Sequence, residues 1–224
     1  MTEGASRPLR LAHRGDWRHG PENTLAAFRA ALAVPACGGL EFDVRVSADS
    51  VPIVLHDETL ARVQGRPERA DALTASELAA AGVPTLAAVL AAVLSGAFLD
   101  VELKGDHGQP VVDVLAAGRG PTLVNAVISS FETATLERMG ALAPTWPRWL
   151  NAEDLSPATL DAAVGLGCRG IAAEWRAIDG RSAARVRAAG LDLAAYTVRR
   201  RPTFDRLAGL GVVAVCVEAA ALDG

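Results

Sequence analysis

The chain of 224 residues has one lysine, one tyrosine and three cysteines, and it has no unbroken apolar run of membrane-spanning length. Its most apolar stretch, 83–99, is broken by Pro84 and Gly96 and followed by Asp100. That falls short of the roughly 20 continuous apolar residues a spanning helix needs. Residues 1–10 lack the apolar core of a signal peptide, so the expectation is a cytoplasmic protein without a membrane span. A net charge of −4 offers no electrostatic footprint for nucleic acid. Cys37, Cys168 and Cys216 are widely spaced, odd in number and form no CxxC, which points to reduced structural thiols. No histidine cluster of zinc type occurs, and no Gly-x-Gly-x-x-Gly follows a strand-like run.

The scarcity of lysine is itself informative. Of 22 basic side chains, 21 are arginine, and the exception is Lys104 in Val101-Glu102-Leu103-Lys104. A lysine surviving where arginine serves everywhere else points to a place that needs a compact ammonium instead of a planar fork.

What is present is a regular alternation. Strand-like runs cover 9–13, 39–46, 51–56, 97–104, 122–129, 145–150, 170–174, 191–198 and 212–217. Helical patterns cover 23–34, 85–94, 111–117, 133–142, 156–166, 180–189 and 203–210, and 66–81 is polar, then helical. Asn23 or Thr24 can cap the first helix, and Ser156 with Pro157 opens a later one. About eight strand–helix units without a linker predict a single-domain (β/α)8 TIM barrel over 1–224, trimmed at the last helix. In such a barrel the functional groups gather at the C-terminal ends of the strands.

The charged residues follow that rule. His13 ends the first strand, Glu41 and Asp43 lie late in the second, and Glu102 and Lys104 close another. Glu41-x-Asp43 and Glu102-x-Lys104 each place two side chains on one face of a strand. Carboxylates facing a barrel interior must be paired or bound to metal to offset their desolvation. Three of them favour a hard cation, Mg2+ or Ca2+, with Mn2+ as a further candidate. His13 and His56 end apolar runs beside a charged residue and can move protons; Arg14 can fork onto a phosphate oxygen. His19 and His107 read as structural or exposed, and Arg199-Arg200-Arg201 as a solvated loop before Pro202, or else as a lining for an anionic substrate.

These residues together resemble the glycerophosphodiester phosphodiesterase family. The segments that carry the resemblance are AHRG at 12–15, PENT at 21–24, LEFDV at 40–44, VPIVLHDETLAR at 51–62, PTL at 84–86, VELK at 101–104, SSF at 129–131 and AYTV at 195–198. The resemblance implies a metal-dependent barrel that hydrolyses glycerophosphodiesters to an alcohol and glycerol 3-phosphate. It assigns His13 and His56 to acid–base work, Glu41, Asp43 and Glu102 to the metal, and Arg14, Lys104 and Tyr196 to substrate. Asn23 would hold the first loop near the site. The chain departs from the family pattern at Tyr196, where Trp is usual, at Arg199, where Asn often stands, and at Glu218-Ala219, where Asp shortly before Pro is usual. The departures bear on which alcohol is recognised. The same chemistry on a lysophospholipid or another phosphodiester, and a non-catalytic barrel that binds a phosphorylated ligand, are the alternatives.

Overall fold

The computed structural model of the protein describes residues 7–93, 96–105 and 107–224. Among the described residues nine strands form: β1 Leu9–His13, β2 Gly39–Val46, β3 Pro52–Val54, β4 Phe98–Leu103, β5 Ala126–Ser130, β6 Arg148–Ala152, β7 Gly170–Glu174, β8 Asp192–Val198 and β9 Ala214–Val217. All but β3 run parallel, in the order β1-β9-β8-β7-β6-β5-β4-β2, and a β1–β2 pairing closes the barrel. β3 stands outside the ring, antiparallel to the far end of β2, with Val44 opposite Val54.

Helices cover the outside: α1 Leu25–Leu32, α2 Ala61–Gln64, α3 Ala75–Ala80, α4 Leu86–Ala92, α5 Gly108–Arg119, α6 Thr133–Leu142, α7 Pro157–Gly165, α8 Gly180–Ala188 and α9 Arg201–Ala208. Their starts are set by side-chain oxygens that accept otherwise orphaned backbone N–H groups: Thr24, Thr74, Thr85, Ser156 and Asp179 all do so. After β9 a single 3-10 turn, Ala219–Ala221, stands where a full helix would complete the eighth unit. Among the described residues no helix is long and apolar enough to cross a membrane.

The period-2 pattern of β2 sorts its side chains as the alternation predicts. Leu40, Phe42 and Val44 point outward into the layer beneath the helices, where Phe42 meets Phe28 at 5.6 Å. Glu41 and Asp43 point into the barrel. An eight-stranded interior is just wide enough for side chains to fill. Here the lower interior is filled by Leu11, Val127, Trp149 and a run of small residues, Ala172, Ala194, Ala214 and Cys216. Phe98 stacks on Trp149 at 6.0 Å and takes up the space those small residues leave. This apolar plug floors the polar layer above it.

Several boundaries differ from the sequence pattern, four of them for a reason the structure shows. β5 begins at Ala126, because Leu123 and Asn125 have φ of 55° and 53°, outside the β region. β6 begins after Pro147, which has no N–H for the ladder. β3 covers only Pro52–Val54, since the chain turns away before His56. α9 starts at Arg201 with Pro202 in its first turn, so the arginine run leads into a helix instead of a loop. Leu94, the last residue of the predicted helix 85–94, lies outside the described residues, as does the His19 side chain.

At Gly39 the pairing of β2 with β4 leaves no room for a side chain. A Cβ there would sit 2.1 Å from the Phe98 carbonyl oxygen, a backbone atom that cannot swing aside. Gly39→Ala is expected to lower the unfolding free energy by about 1–3 kcal/mol in urea denaturation. Gly180→Ala, at the open start of α8 with nothing within 4 Å, is the control and should be neutral or slightly stabilising.

Candidate active site

Strand register builds the site. In the ladder His13 lies opposite Glu41, and Asp43 opposite Glu102. Inward-facing positions of three adjacent strands therefore converge at one end of the barrel. Ligand-capable oxygens of Glu41, Asp43 and Glu102 all lie within 4.8 Å of one another, and all three residues are buried. Asp100 lies one position deeper on the same face of β4, where it accepts a hydrogen bond from Ser129 Oγ at 2.6 Å.

The turn after β1 folds back over this cluster. Arg14 and Gly15 have φ of 57° and 84°, and a Cβ on Gly15 would be 2.8 Å from the Ala27 carbonyl carbon. Only glycine fits that second position. The Arg14 amide donates to the Glu41 carbonyl oxygen at 2.9 Å and to Glu41 Oε2 at 3.2 Å. Asn23, also left-handed at φ 56°, donates its amide to the Arg14 carbonyl at 2.9 Å and its Nδ2 to Asp43 Oδ2 at 2.9 Å. Asn23 thus leaves the capping of α1 to Thr24 and instead ties the first loop to a buried carboxylate.

Charge compensation is uneven across the cluster. Burial pushes Asp43 upward, but the Lys104 ammonium, 3.2 Å from Oδ1, and the Arg14 guanidinium, 3.2 Å from Oδ2, outweigh it and hold this carboxyl below its ordinary range. Glu41 has less relief: burial, with Asp43 and Glu102 beside it, outweighs Arg14 and raises it well above the usual carboxylate range. Burial and Asp43 push Glu102 up to about 7, although Lys104 bonds directly to it. Glu41 Oε1 is buried with no hydrogen-bond partner, and Asp43 Oδ1 accepts no hydrogen bond of good geometry. Three convergent carboxylates with unused inward oxygens fit a hard divalent cation.

Two histidines flank the cluster, each tied to a carboxylate. His13 Nδ1 is 2.6 Å from Glu218 Oε1, and His56 Nδ1 is 2.6 Å from Asp57 Oδ1. Such a bond fixes the ring and leaves Nε2 as the exchanging nitrogen. Burial draws the His56 imidazole down, and Asp43 and Asp57 oppose it. Behind it runs a chain of ion pairs. Arg62 binds Asp57 at 2.6 Å and Glu22 at 2.7 Å, and Glu22 receives Arg14 Nη1 at 3.0 Å. The Arg62 bond outweighs the upward push of burial and, with the His56 bond, holds Asp57 down at about 2.

A cavity of about 220 Å3 joins these groups, with Phe131, Asn151 and Tyr196 on its far wall. Tyr196 packs edge-on against Phe131 at 5.6 Å and donates its hydroxyl to the Ala152 carbonyl at 2.8 Å, so it presents ring more than hydroxyl. The structure therefore brings His13, Arg14, Glu41, Asp43, His56, Glu102, Lys104 and Tyr196 to one mouth. It leaves His107 outside, bonded to the Val44 carbonyl at 3.0 Å. The three cysteines are free thiols; Cys216 lines the cavity floor, where burial raises it far above its usual range and keeps it protonated.

The sequence reading left Asp100, Glu22 and Arg62 unmarked, and noted Glu218 only as a departure from the family pattern and not as a partner of His13. Glu218 had a signal, being a carboxylate at the end of the last strand. Asp100 had one too, since Asp100, Glu102 and Lys104 share one face of β4. Glu22 and Arg62 are joined only by folding.

The glycerophosphoryl diester phosphodiesterase family model matches residues 13–222. The chain belongs to that family. A glycerophosphodiester phosphodiesterase of Caldanaerobacter subterraneus is 48% identical over 54 residues, 24% of this chain and 22% of that protein. Bacillus subtilis YhdW is 30% identical over 153 residues, 61% of this chain and 63% of that protein. The chain thus spans less than two thirds of the length of either relative. Among solved structures, a phosphodiesterase of Oleispira antarctica in complex with its product sn-glycerol-3-phosphate superposes with a TM-score of 0.83 at 26% identity, covering 94% of this chain and 93% of that one.

Asp100 gives this family member a measurable pH signature. Burial, chiefly, pushes it up to about 7, while in an unfolded chain it titrates near ~3.9. The folded protein therefore holds a proton that the unfolded chain has lost. The stabilisation from this group is complete below pH ~4 and disappears as the pH rises through about 7. With chelator present, the stability advantage of the parent over Asp100→Asn should shrink by on the order of a few kcal/mol between pH 4 and pH 7. Urea unfolding across that range measures it, and a pH-independent difference contradicts the assignment.

Proposed function

We propose that the chain is a divalent-cation-dependent phosphodiesterase that hydrolyses glycerophosphodiesters to an alcohol and glycerol 3-phosphate. The observation that carries this reading is the placement of two histidine–carboxylate pairs on either side of a buried three-carboxylate cluster, with Arg14 and Lys104 at the same mouth. Family membership supports it, as does the product held by the Oleispira antarctica relative.

The cation would be held by Glu41, Asp43 and Glu102; when bound it supplies charge neutralisation at the phosphoryl oxygens. Lys104 and Arg14 bring positive charge to the same oxygens and favour the transition state, in which negative charge builds up. One histidine takes a proton at Nε2 from the attacking hydroxyl, and the other gives a proton from Nε2 to the leaving alkoxide. Glu218 and Asp57 hold the two rings by Nδ1 and stabilise each when it is cationic. The floor of Trp149, Phe98 and small apolar residues keeps bulk water from beneath the phosphate, which strengthens each of these interactions. The attacking hydroxyl belongs to water or to the glycerol arm itself. An inert binding barrel has no need for both pairs.

His13→Ala and His56→Ala are each expected to lower kcat by about 10²- to 10⁴-fold on glycerophosphocholine. Near-normal turnover in both variants contradicts the acid–base assignment. Chelation should abolish activity, and Mg2+, Ca2+ or Mn2+ should restore it. The same cations should raise the melting temperature of the parent but not of a Glu41→Gln/Asp43→Asn variant.

A further inference from the structure

A second cavity of about 460 Å3 adjoins the first along β8, where Thr197 lines both. Its other walls come from the segments after β7 and β8, and include Glu174, Trp175, Arg176, Arg199 and Arg200. It is about twice the size of the cavity beside the carboxylates. A phosphodiester whose phosphate and one arm fill the inner cavity extends its other arm this way.

The chemistry of this outer cavity is lopsided. Glu174 is its one carboxylate, and both oxygens are engaged: Oε1 accepts from Arg176 Nη1 and Oε2 from the Arg176 amide, each at 2.6 Å. The aromatic face that could receive a quaternary ammonium is also covered. The Arg176 guanidinium lies 4.4 Å from the Trp175 ring centroid, and that of Arg206 lies 5.8 Å away. A choline head group would meet guanidinium where it needs an open ring or a free carboxylate. Arg199 contributes its Nε to Glu218 at 2.6 Å. Arg200 is exposed and has no ion pair among the described residues. The unpaired Arg200 guanidinium, beside the donors that Arg176 and Arg199 do not spend on Glu174 and Glu218, matches a phosphate monoester, whose several oxygens accept forked donors, better than a neutral or cationic group.

We propose that this outer cavity selects glycerophosphodiesters whose leaving alcohol carries a second phosphate. The inference rests on the phosphodiesterase reading above and adds a preference to it. Three substrates test it with the full chain and saturating cation: glycerophosphoinositol 4-phosphate, glycerophosphoinositol and glycerophosphocholine. The expected kcat/KM is at least tenfold higher for the phosphorylated inositol ester than for its unphosphorylated partner, with choline lowest. Arg200→Glu, which removes no capping bond because Arg200 caps α9 without its side chain, should lower that ratio at least tenfold. A ratio near one in the parent, or one that Arg200→Glu leaves unmoved, overturns the inference while leaving the phosphodiesterase reading intact. Hydrolysis of none of the three overturns the phosphodiesterase reading itself.

Discussion

Four carboxyl groups share one end of a barrel interior, and the rest of the site follows from the difficulty of keeping them there. An isolated buried charge is so unfavourable that it is paired, neutralised or bound to metal. The first two means are visible on different members of the cluster, and the third is open to three of them. Asp43, at the centre, is held charged by Lys104, Arg14 and Asn23. Glu41, Asp100 and Glu102 are held toward their protonated forms by burial and by the charge of their neighbours. A divalent cation held between Glu41, Asp43 and Glu102 would replace protons with a stronger form of the same compensation. The groups it would relieve are the ones whose burial is otherwise unfavourable.

The same demand accounts for local backbone that is otherwise unfavourable. Arg14 and Asn23 both occupy the left-handed region, which costs roughly 1–2 kcal/mol for a residue with a side chain. The two are bonded to each other through the Arg14 carbonyl, and both reach Asp43. Straightening either residue would withdraw a cationic or donor group from the most buried carboxylate. The strain is thus held in place by electrostatics, and Gly15 supplies the turn that lets Arg14 face inward.

Much of this was legible in the sequence because a parallel barrel constrains it so tightly. Strand alternation alone places Glu41 and Asp43 inside and Phe42 outside, and register then sets His13 beside Glu41 and Asp43 beside Glu102. The lone lysine marked a group whose surroundings need a compact cation close to two carboxylates. Residues that act through folded loops were not legible. Glu22 and Arg62 are 40 residues apart, and no periodicity links them. The start of β5 was misplaced because positive φ at Leu123 and Asn125 overrides an apolar run that looks extended. The arginines at 199–201 read as solvated because a sequence shows charge without partners; Glu218, the partner of Arg199, enters the mouth from the last strand.

Glu218 also explains how two sides of the mouth with different tasks are joined. One oxygen holds His13 and the other holds Arg199. Burial raises this carboxyl, but the His13 bond and Arg199 outweigh that and keep it charged. In the proposed reading the β1, β2 and β4 side would supply the groups for cutting a phosphodiester, while the β7 and β8 side would supply the wall an alcohol touches. Arg199 belongs to that wall, and Glu218 is its route to the histidine. A head group that drew Arg199 outward would leave Glu218 to balance its charge on His13 alone and so strengthen the hold on that ring. A carboxylate shared by two cations would thus link the alcohol to His13 through the movement of one side chain, Arg199, with no shift of the barrel.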